Sequence, residues 1–362
     1  MRARKYRVAV AGGAGTWGRH YLHAYAEHPD CEVIALIDRA RQRRQKFADH
    51  YGIEAVYDSV DELLAREIPD IVSAILPVEQ AHDAVIACAE AGVKVVSCEK
   101  PIAAQLARAD EMVRVCRARG TAFGCGTGYW DAAYLEETAA WIQAGNIGEI
   151  VGAALPGGLP QEVSGGGCVQ LTQLRLLTGK EVEWVEGWTL PPAPGWVPPP
   201  GVDESEGDRP AYGRLGMSGG IVCEVPEPLP EGGRCPVSIQ GEEGQVWITG
   251  PRPVLIQGSG AAATPVFPDF LEAPRKSTFV YTIERLMHAF DAGGGARCSG
   301  HDYRQALEIA IALNESAQCD HQRIALPLED RSMRIFPHPY RLQGGDVAGW
   351  ESIGYTGPPQ LD

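Results

Sequence analysis

Two domains of different class are expected from this sequence. The first is α/β, with a doubly wound parallel sheet; the second is α+β, with a large open, mostly antiparallel sheet. Three observations predict this. Short β-rich runs alternate with helical stretches from residue 6 to about 120. After about residue 127 the alternation stops, and β runs separated by turn residues dominate 183–257. At 362 residues the chain has the length for two domains or three. The boundaries read as 1–126, 127–328 and a C-terminal tail, 329–362, packing on the domains or on a neighbouring subunit.

The elements follow in order. Tyr6–Ala11 is a strand, Thr16–Ala26 a helix with Tyr21, Leu22 and Tyr25 at helical spacing, and Val33–Ile37 a strand. Arg39–Tyr51 is a polar helix, Val60–Arg66 a short one, and Ile71–Ile75 a strand. Ala81–Ala91 is an Ala-rich helix, Lys94–Ser97 a strand, Leu106–Arg119 a helix and Ala122–Cys125 the last strand. Strand, helix, strand with short connections means a parallel sheet with helices on both faces. Beyond it, Ala132–Ala144 is one amphipathic helix and Ile150–Ala154 a strand. Glu183–Leu190, Gly219–Glu224, Cys235–Gln240 and Gln245–Ile248 make the open sheet. Pro191–Gly201 is too Pro-rich for either element and is expected as an exposed loop. Ser277–Ala292 and His301–Cys319 are helices, the second with Leu307, Ile309, Ala310 and Leu313 on an apolar stripe. The tail shows little periodicity, and no internal repeat is present.

Composition narrows the function classes. Acidic residues number 47 against 32 basic ones, a net charge of −15. Such a surface repels phosphate backbones and anionic lipids, so neither nucleic acid nor membrane is expected as a partner. No apolar run reaches the roughly 20 residues that span a bilayer. The basic start, Met1–Arg7, leads into a four-residue apolar run and then glycines, which is no signal sequence, so a cytoplasmic location is expected. The ten cysteines are scattered without a C-x-x-C pair and read as reduced thiols. No His, Asp, Glu or Cys cluster has metal spacing, so no metal is expected.

Between the first strand and first helix lies G-x-G-x-x-G at Gly13, Gly15 and Gly18. Gly13 permits the tight turn, Gly15 lets a pyrophosphate approach the backbone, and Gly18 lets helix and strand pack closely. The helix start, with Thr16 and Trp17, offers unpaired N–H groups and a positive partial charge to phosphates. Twenty residues after Gly18, the second strand ends at Asp38. A carboxylate there accepts both adenosine ribose hydroxyls and repels a 2′-phosphate, favouring NAD over NADP. Arg39 works against that preference, because a guanidinium can stack on adenine or pair with the phosphate.

A second constellation, Glu99-Lys100-Pro101, follows the fifth strand, where open parallel sheets bind ligands. A lysine beside a nicotinamide can hydrogen-bond a substrate hydroxyl and take its proton as hydride leaves. Burial and the cofactor's positive charge would favour the neutral amine.

With these features the chain resembles the glucose–fructose oxidoreductase / inositol dehydrogenase family, called Gfo/Idh/MocA. The resemblance rests on the glycine turn at 12–18 and on Pro77 to His82 leading into Glu99-Lys100-Pro101. It continues in Gly128–Gly148 and Asp302–Ser316, and covers about 1–155, 165–180 and 277–328. It implies a Rossmann domain binding NAD(P), then an α+β domain that carries the substrate pocket and often builds homodimers or homotetramers. The implied chemistry is hydride transfer at a secondary hydroxyl of a sugar, glycoside or cyclitol. It further implies that Glu99 and Lys100 line the site, and that Pro77 and His82 edge the nicotinamide pocket.

One departure stands out. The family pattern G-G-G-x-x-x-D-x-x-x-H-x-x-D opens a helix of the second domain with a proton-accepting Asp/His pair. Here the stretch reads Gly165-Gly-Gly-Cys-Val-Gln-Leu-Thr-Gln-Leu-Arg-Leu-Leu-Thr-Gly179. Aligned from its end, Gly165 and Val169 take the places of the Asp and His, and Thr172 that of the second Asp. About one helical turn is missing. Gln170 and Gln173 can hydrogen-bond a sugar but cannot titrate. The candidate catalytic residues are therefore Lys100, Tyr129 and His82, with Tyr129, Trp130, Gln170, Gln173 and Lys100 facing substrate. Tyr134 reads as core, and His288 and His301 as surface or core histidines. Three functions stay open on these residues: an NAD-dependent dehydrogenase or reductase; a glycosidase working by transient oxidation, elimination and re-reduction; and a non-catalytic binder of cofactor or sugar.

Overall fold

The computed structural model of the protein describes residues 4–125, 134–228, 236–250 and 252–361. The chain forms two compact units. Met1–Thr127, Lys276–Arg304 and Pro339–Asp362 make the first; Gly128–Arg275 and Gln305–His338 make the second.

The first unit holds six parallel strands: β1 (Tyr6–Ala11), β2 (Cys31–Ile37), β3 (Val56–Tyr57), β4 (Ile71–Ala74), β5 (Val95–Cys98) and β6 (Ala122–Cys125). Their order is β3-β2-β1-β4-β5-β6, the doubly wound arrangement expected. Five helices connect them: α1 (Gly18–Glu27), α2 (Arg41–Tyr51), α3 (Val60–Leu64), α4 (Val78–Ala91) and α5 (Leu106–Arg119). β1, β4, β5 and β6 are covered on both faces, which is why they read as continuous apolar runs. Helix α4 starts three residues before its expected position. Pro77 supplies an extended N-cap (φ −56°, ψ 151°), and polar Glu79 and Gln80 hide the first turn of the stripe Val78, Ala81, Val85. Two-residue β3 was not expected, because so short a run carries no pattern.

In the second unit, α6 (Leu135–Gln143), β7 (Ile150–Ala154), α7 (Gly167–Thr178), β8 (Val182–Thr189), β9 (Ala211–Met217) and β10 (Ile221–Val225) come first. Strands β11 (Ser238–Gly241), β12 (Gly244–Trp247), β13 (Val254–Gln257) and β14 (Thr264–Val266) follow. Helix α8 (Thr278–Ala292) returns to the first unit, where Ile283, Leu286 and Met287 join the core of Tyr21, Leu22 and Tyr25. Helix α9 (Gly300–Gln318) enters the second unit at Gln305, and β15 (Ile324–Ala325) closes its sheet. That sheet has nine strands in the order β14-β13-β12-β11-β7-β10-β9-β8-β15. Its pairs are antiparallel except β7 with β10. The 191–201 stretch is the irregular loop expected.

The tail, whose sequence shows little periodicity, forms α10 (Pro339–Gln343), α11 (Gly345–Ala348) and a 3₁₀ turn over Trp350–Ile353. Nine cysteines are described, all free thiols, eight of them buried.

Candidate active site

A cleft of about 560 Å³ opens in the first unit at the carboxyl ends of β1, β2, β4 and β5. Its floor is the glycine turn after β1. Gly12 has φ +72°, and a Cβ there would lie 2.0 Å from the Ile75 carbonyl oxygen. A Cβ on Gly18 would lie 2.0 Å from the Gly12 carbonyl oxygen. Only glycine lets the turn fold this tightly against β4 and against itself. Gly15, Thr16, Trp17 and Gly18 line the cleft at the start of α1. Gly13 lies below them, where a Cβ would meet Leu36 at 2.5 Å.

Asp38 lines the cleft just past β2. Its carboxylate accepts the Ala40 N–H at 2.9 Å and the Ala14 N–H at 3.3 Å, with Arg43 at 3.8 Å. Burial pushes the Asp38 carboxyl above its ordinary value, and the Ala40 N–H, Arg43 and the Ala14 N–H pull it back. Arg39 is exposed at the cleft's edge, and Pro77 lines the wall after β4.

Past β5 the cleft is lined by Glu99 and Lys100. Both side chains are about nine-tenths buried, with Lys100 Nζ 3.5 Å from Glu99 Oε2. Tyr21 on α1 donates its hydroxyl to Glu99 Oε1 at 3.2 Å. The Trp17 ring centroid is 5.2 Å from Lys100 Nζ. The Lys100 amine therefore rests beside a carboxylate and an indole ring, within the cleft that the glycine turn floors.

The other sequence candidates fall elsewhere. His82 sits on α4 but is not among the residues lining the cleft; its ring lies 2.7 Å from Asp83 Oδ1 and 3.0 Å from Glu111 Oε2. Gln170 and Gln173 lie on α7 in the second unit. Gln170 donates to the Gly158 carbonyl oxygen at 2.7 Å, and Gln173 is buried. Tyr129 and Trp130 lie outside the described residues. Among the described residues no group of His, Cys, Asp or Glu side chains is placed to hold a metal ion.

Sequence reasoning missed the C-terminal wall. Tyr340, Gln343, Gly344, Asp346 and Trp350 line the same cleft. Arg43 donates to both Asp346 oxygens at 3.0 and 2.6 Å, across 303 positions of sequence. No local pattern announces such a partner.

The residues fit a dinucleotide. The glycine turn and the first N–H groups of a helix meet a pyrophosphate, and a buried carboxylate stands one strand away for a ribose. Comparison with known proteins agrees. Residues 6–127 match the sequence model of the Gfo/Idh/MocA oxidoreductase family, NAD-binding Rossmann fold. The chain is 32% identical over 108 residues to D-apiose dehydrogenase of Paraburkholderia graminis, covering 30% of this chain and 28% of that protein. It is 30% identical over 120 residues to D-glucoside 3-dehydrogenase of Escherichia coli, covering 33% of this chain and 34% of that one. These matches thus span about a third of the curated relatives' length. The fold extends further: a levoglucosan dehydrogenase solved with NADH and levoglucosan superposes with a TM-score of 0.72 at 18% identity, over 90% of this chain and all of that one. Glycine turn, acid and strand order thus agree with that match: residues 6–127 form a Gfo/Idh/MocA-type, NAD-binding Rossmann domain.

Proposed function

We propose that this protein is an NAD-dependent oxidoreductase acting at a secondary hydroxyl of a sugar, glycoside or cyclitol, with Lys100 handling the proton. The observation that carries this reading is Lys100 itself. It lines one cleft with the glycine turn and Asp38, and is held beside Glu99. The glycine turn and Asp38 would hold NAD in that cleft, and the bound cofactor would supply the acceptor for the carbinol hydride. Lys100 Nζ, as the neutral amine, would take the hydroxyl proton, and Glu99 would then stabilise the ammonium. Tyr21, which donates to Glu99, would hold that carboxylate and so position Lys100. Trp17 and Pro77 line the same cleft and would help to keep water from it. The sugar-type substrate is supported by the names of the relatives, two of which are dehydrogenases of a sugar and a glucoside.

Helix α7 contains no Asp, Glu or His, so it supplies no second proton acceptor. A panel of polyols, sugars and glycosides separates the open readings. Net NADH formation is the expected result. Glycoside cleavage without net NADH would move the protein to redox-assisted hydrolysis. NAD binding without turnover of any compound would make it a sensor.

The same proposal extends to assembly as a homodimer or homotetramer through the sheet of the second unit. Trp247 and Val254 are cross-strand partners on β12 and β13 and are 39% and 44% exposed; Phe267, just past β14, is 77% exposed.

A further inference from the structure

The tail wall of the cleft is built, not draped. Gly344 meets Pro77 so closely that a Cβ would lie 2.9 Å from the proline ring. Trp350 packs against Gly345, where a Cβ would lie 2.5 Å from the indole. The indole N–H donates to Asp346 Oδ1 at 3.2 Å, and the Arg43 guanidinium lies 5.6 Å from the indole centroid. Arg43 Nε donates to the Ala14 carbonyl oxygen of the glycine turn at 2.9 Å. Both terminal nitrogens of Arg43 point to Asp346, and one stands 3.8 Å from Asp38. Arg43 is thus occupied on three sides, and its side chain is only 13% exposed.

We propose that the C-terminal segment is part of the dinucleotide site, and that Asp346 selects NAD over NADP by holding Arg43. The inference rests on the cofactor reading above and adds a residue no local motif marks. A 2′-phosphate is recognised by guanidinium groups that can present two N–H donors. In this cleft the buried guanidinium beside Asp38 has its fork already closed by Asp346. A phosphate there would have to displace one carboxylate while facing another. A ribose 2′-hydroxyl asks for neither; it needs only an acceptor, which Asp38 provides. Arg43 in turn holds the Asp346 carboxyl below its ordinary value, so the pair is ionised near neutral pH.

The test is the ratio of two affinities in the full-length protein, titrating NAD⁺ and NADP⁺ by calorimetry against wild type, Asp346→Ala, Asp346→Asn and Asp346→Glu. Wild type should favour NAD⁺. Asp346→Ala and Asp346→Asn should each raise NADP⁺ affinity relative to NAD⁺ by about tenfold or more, since a charge-assisted bond is worth at least that factor. Asp346→Glu should retain the wild-type preference. Adding Arg43→Ala to Asp346→Ala should abolish the gain, which a merely structural role for the tail would not do. Asp346 is half-exposed, so the variants should fold, and matched melting temperatures would show it. A wild type that binds NAD⁺, with an unchanged ratio in both Asp346→Ala and Asp346→Asn, overturns this inference and leaves the proposed function standing. A wild type that binds neither dinucleotide overturns the cofactor reading, and this inference with it.

Discussion

Glu99 joins residues that the chain keeps apart: Tyr21 reaches it from α1, and Lys100 leans on it from the next position. The glycine turn, Asp38 and Lys100 were legible because each is set by spacing from a single strand end. Tyr21 and Arg43 were visible only as helix residues, and Asp346 not at all, because their partners come from other segments. Asp208 in the second unit is another buried group without a sequence signal. Its carboxylate accepts the N–H groups of Val163 and Ser164, at 2.8 and 3.0 Å, and the Ser164 hydroxyl at 2.5 Å. Burial, then the charge of Glu162, pushes the Asp208 carboxyl up to about 7, against the pull of those bonds. The unfolded chain releases this proton near pH 4, the folded chain near 7. Between those values the folded state binds more protons, so this group's contribution to stability falls as pH rises. Asp208→Asn removes the titration. Melting curves from about pH 4 to 7 should show any advantage of wild type over the variant shrinking as pH rises. An advantage that fails to shrink would mean that Asp208 is ionised throughout.

At the level of elements, the β1–α1 unit depends on Gly18 lying against the Gly12 carbonyl. Gly18→Ala puts a methyl against backbone that cannot swing aside. Overpacking of that kind costs about 1–3 kcal/mol, read as a lower urea midpoint, and NAD affinity should fall with it. A variant with wild-type stability and affinity would show that α1 can shift freely. The doubly wound unit was easy to read because its strands are apolar runs and three of the helices between them end at a left-handed glycine, Gly52, Gly92 or Gly120. Strand β9 was missed for a physical reason. Gly213 and Gly216 interrupt its β pattern, yet both are needed there. A Cβ on Gly216 would overlap the Trp184 ring at 1.8 Å, and one on Gly213 would lie 2.1 Å from the Glu186 carbonyl oxygen. Glycine in a strand often marks such close approach, and only the folded neighbour reveals it. Helix α7 is the opposite case: its missing titratable residues were plain from the sequence and are plain in the structure.

For the whole molecule, the first unit draws on three separated segments, and its last segment returns to line the cleft that the first one begins. That return is why the tail could not be interpreted alone. Its residues form short helices whose partners are the glycine turn, α2 and the connection before α4. Among the described residues no helix is long and apolar enough to cross a membrane. The exposed Trp247 and Val254 pair belongs to the second unit's sheet, and covering such a patch favours association. Sizing with light scattering should give a dimer or tetramer at micromolar concentration, and Trp247→Glu should shift it toward monomer. A wild-type monomer under those conditions would remove the assembly proposal.

The central claim is that Lys100 moves the proton while the same cleft holds NAD. Single-turnover oxidation by Lys100→Met, measured beside NAD⁺ binding, tests it most directly. Methionine keeps much of the stem's bulk and removes the amine, so binding should survive. The oxidation step should slow by roughly 10²–10⁴, the span for losing a general acid or base. A Lys100→Met protein that oxidises substrate at close to the wild-type rate would contradict the account.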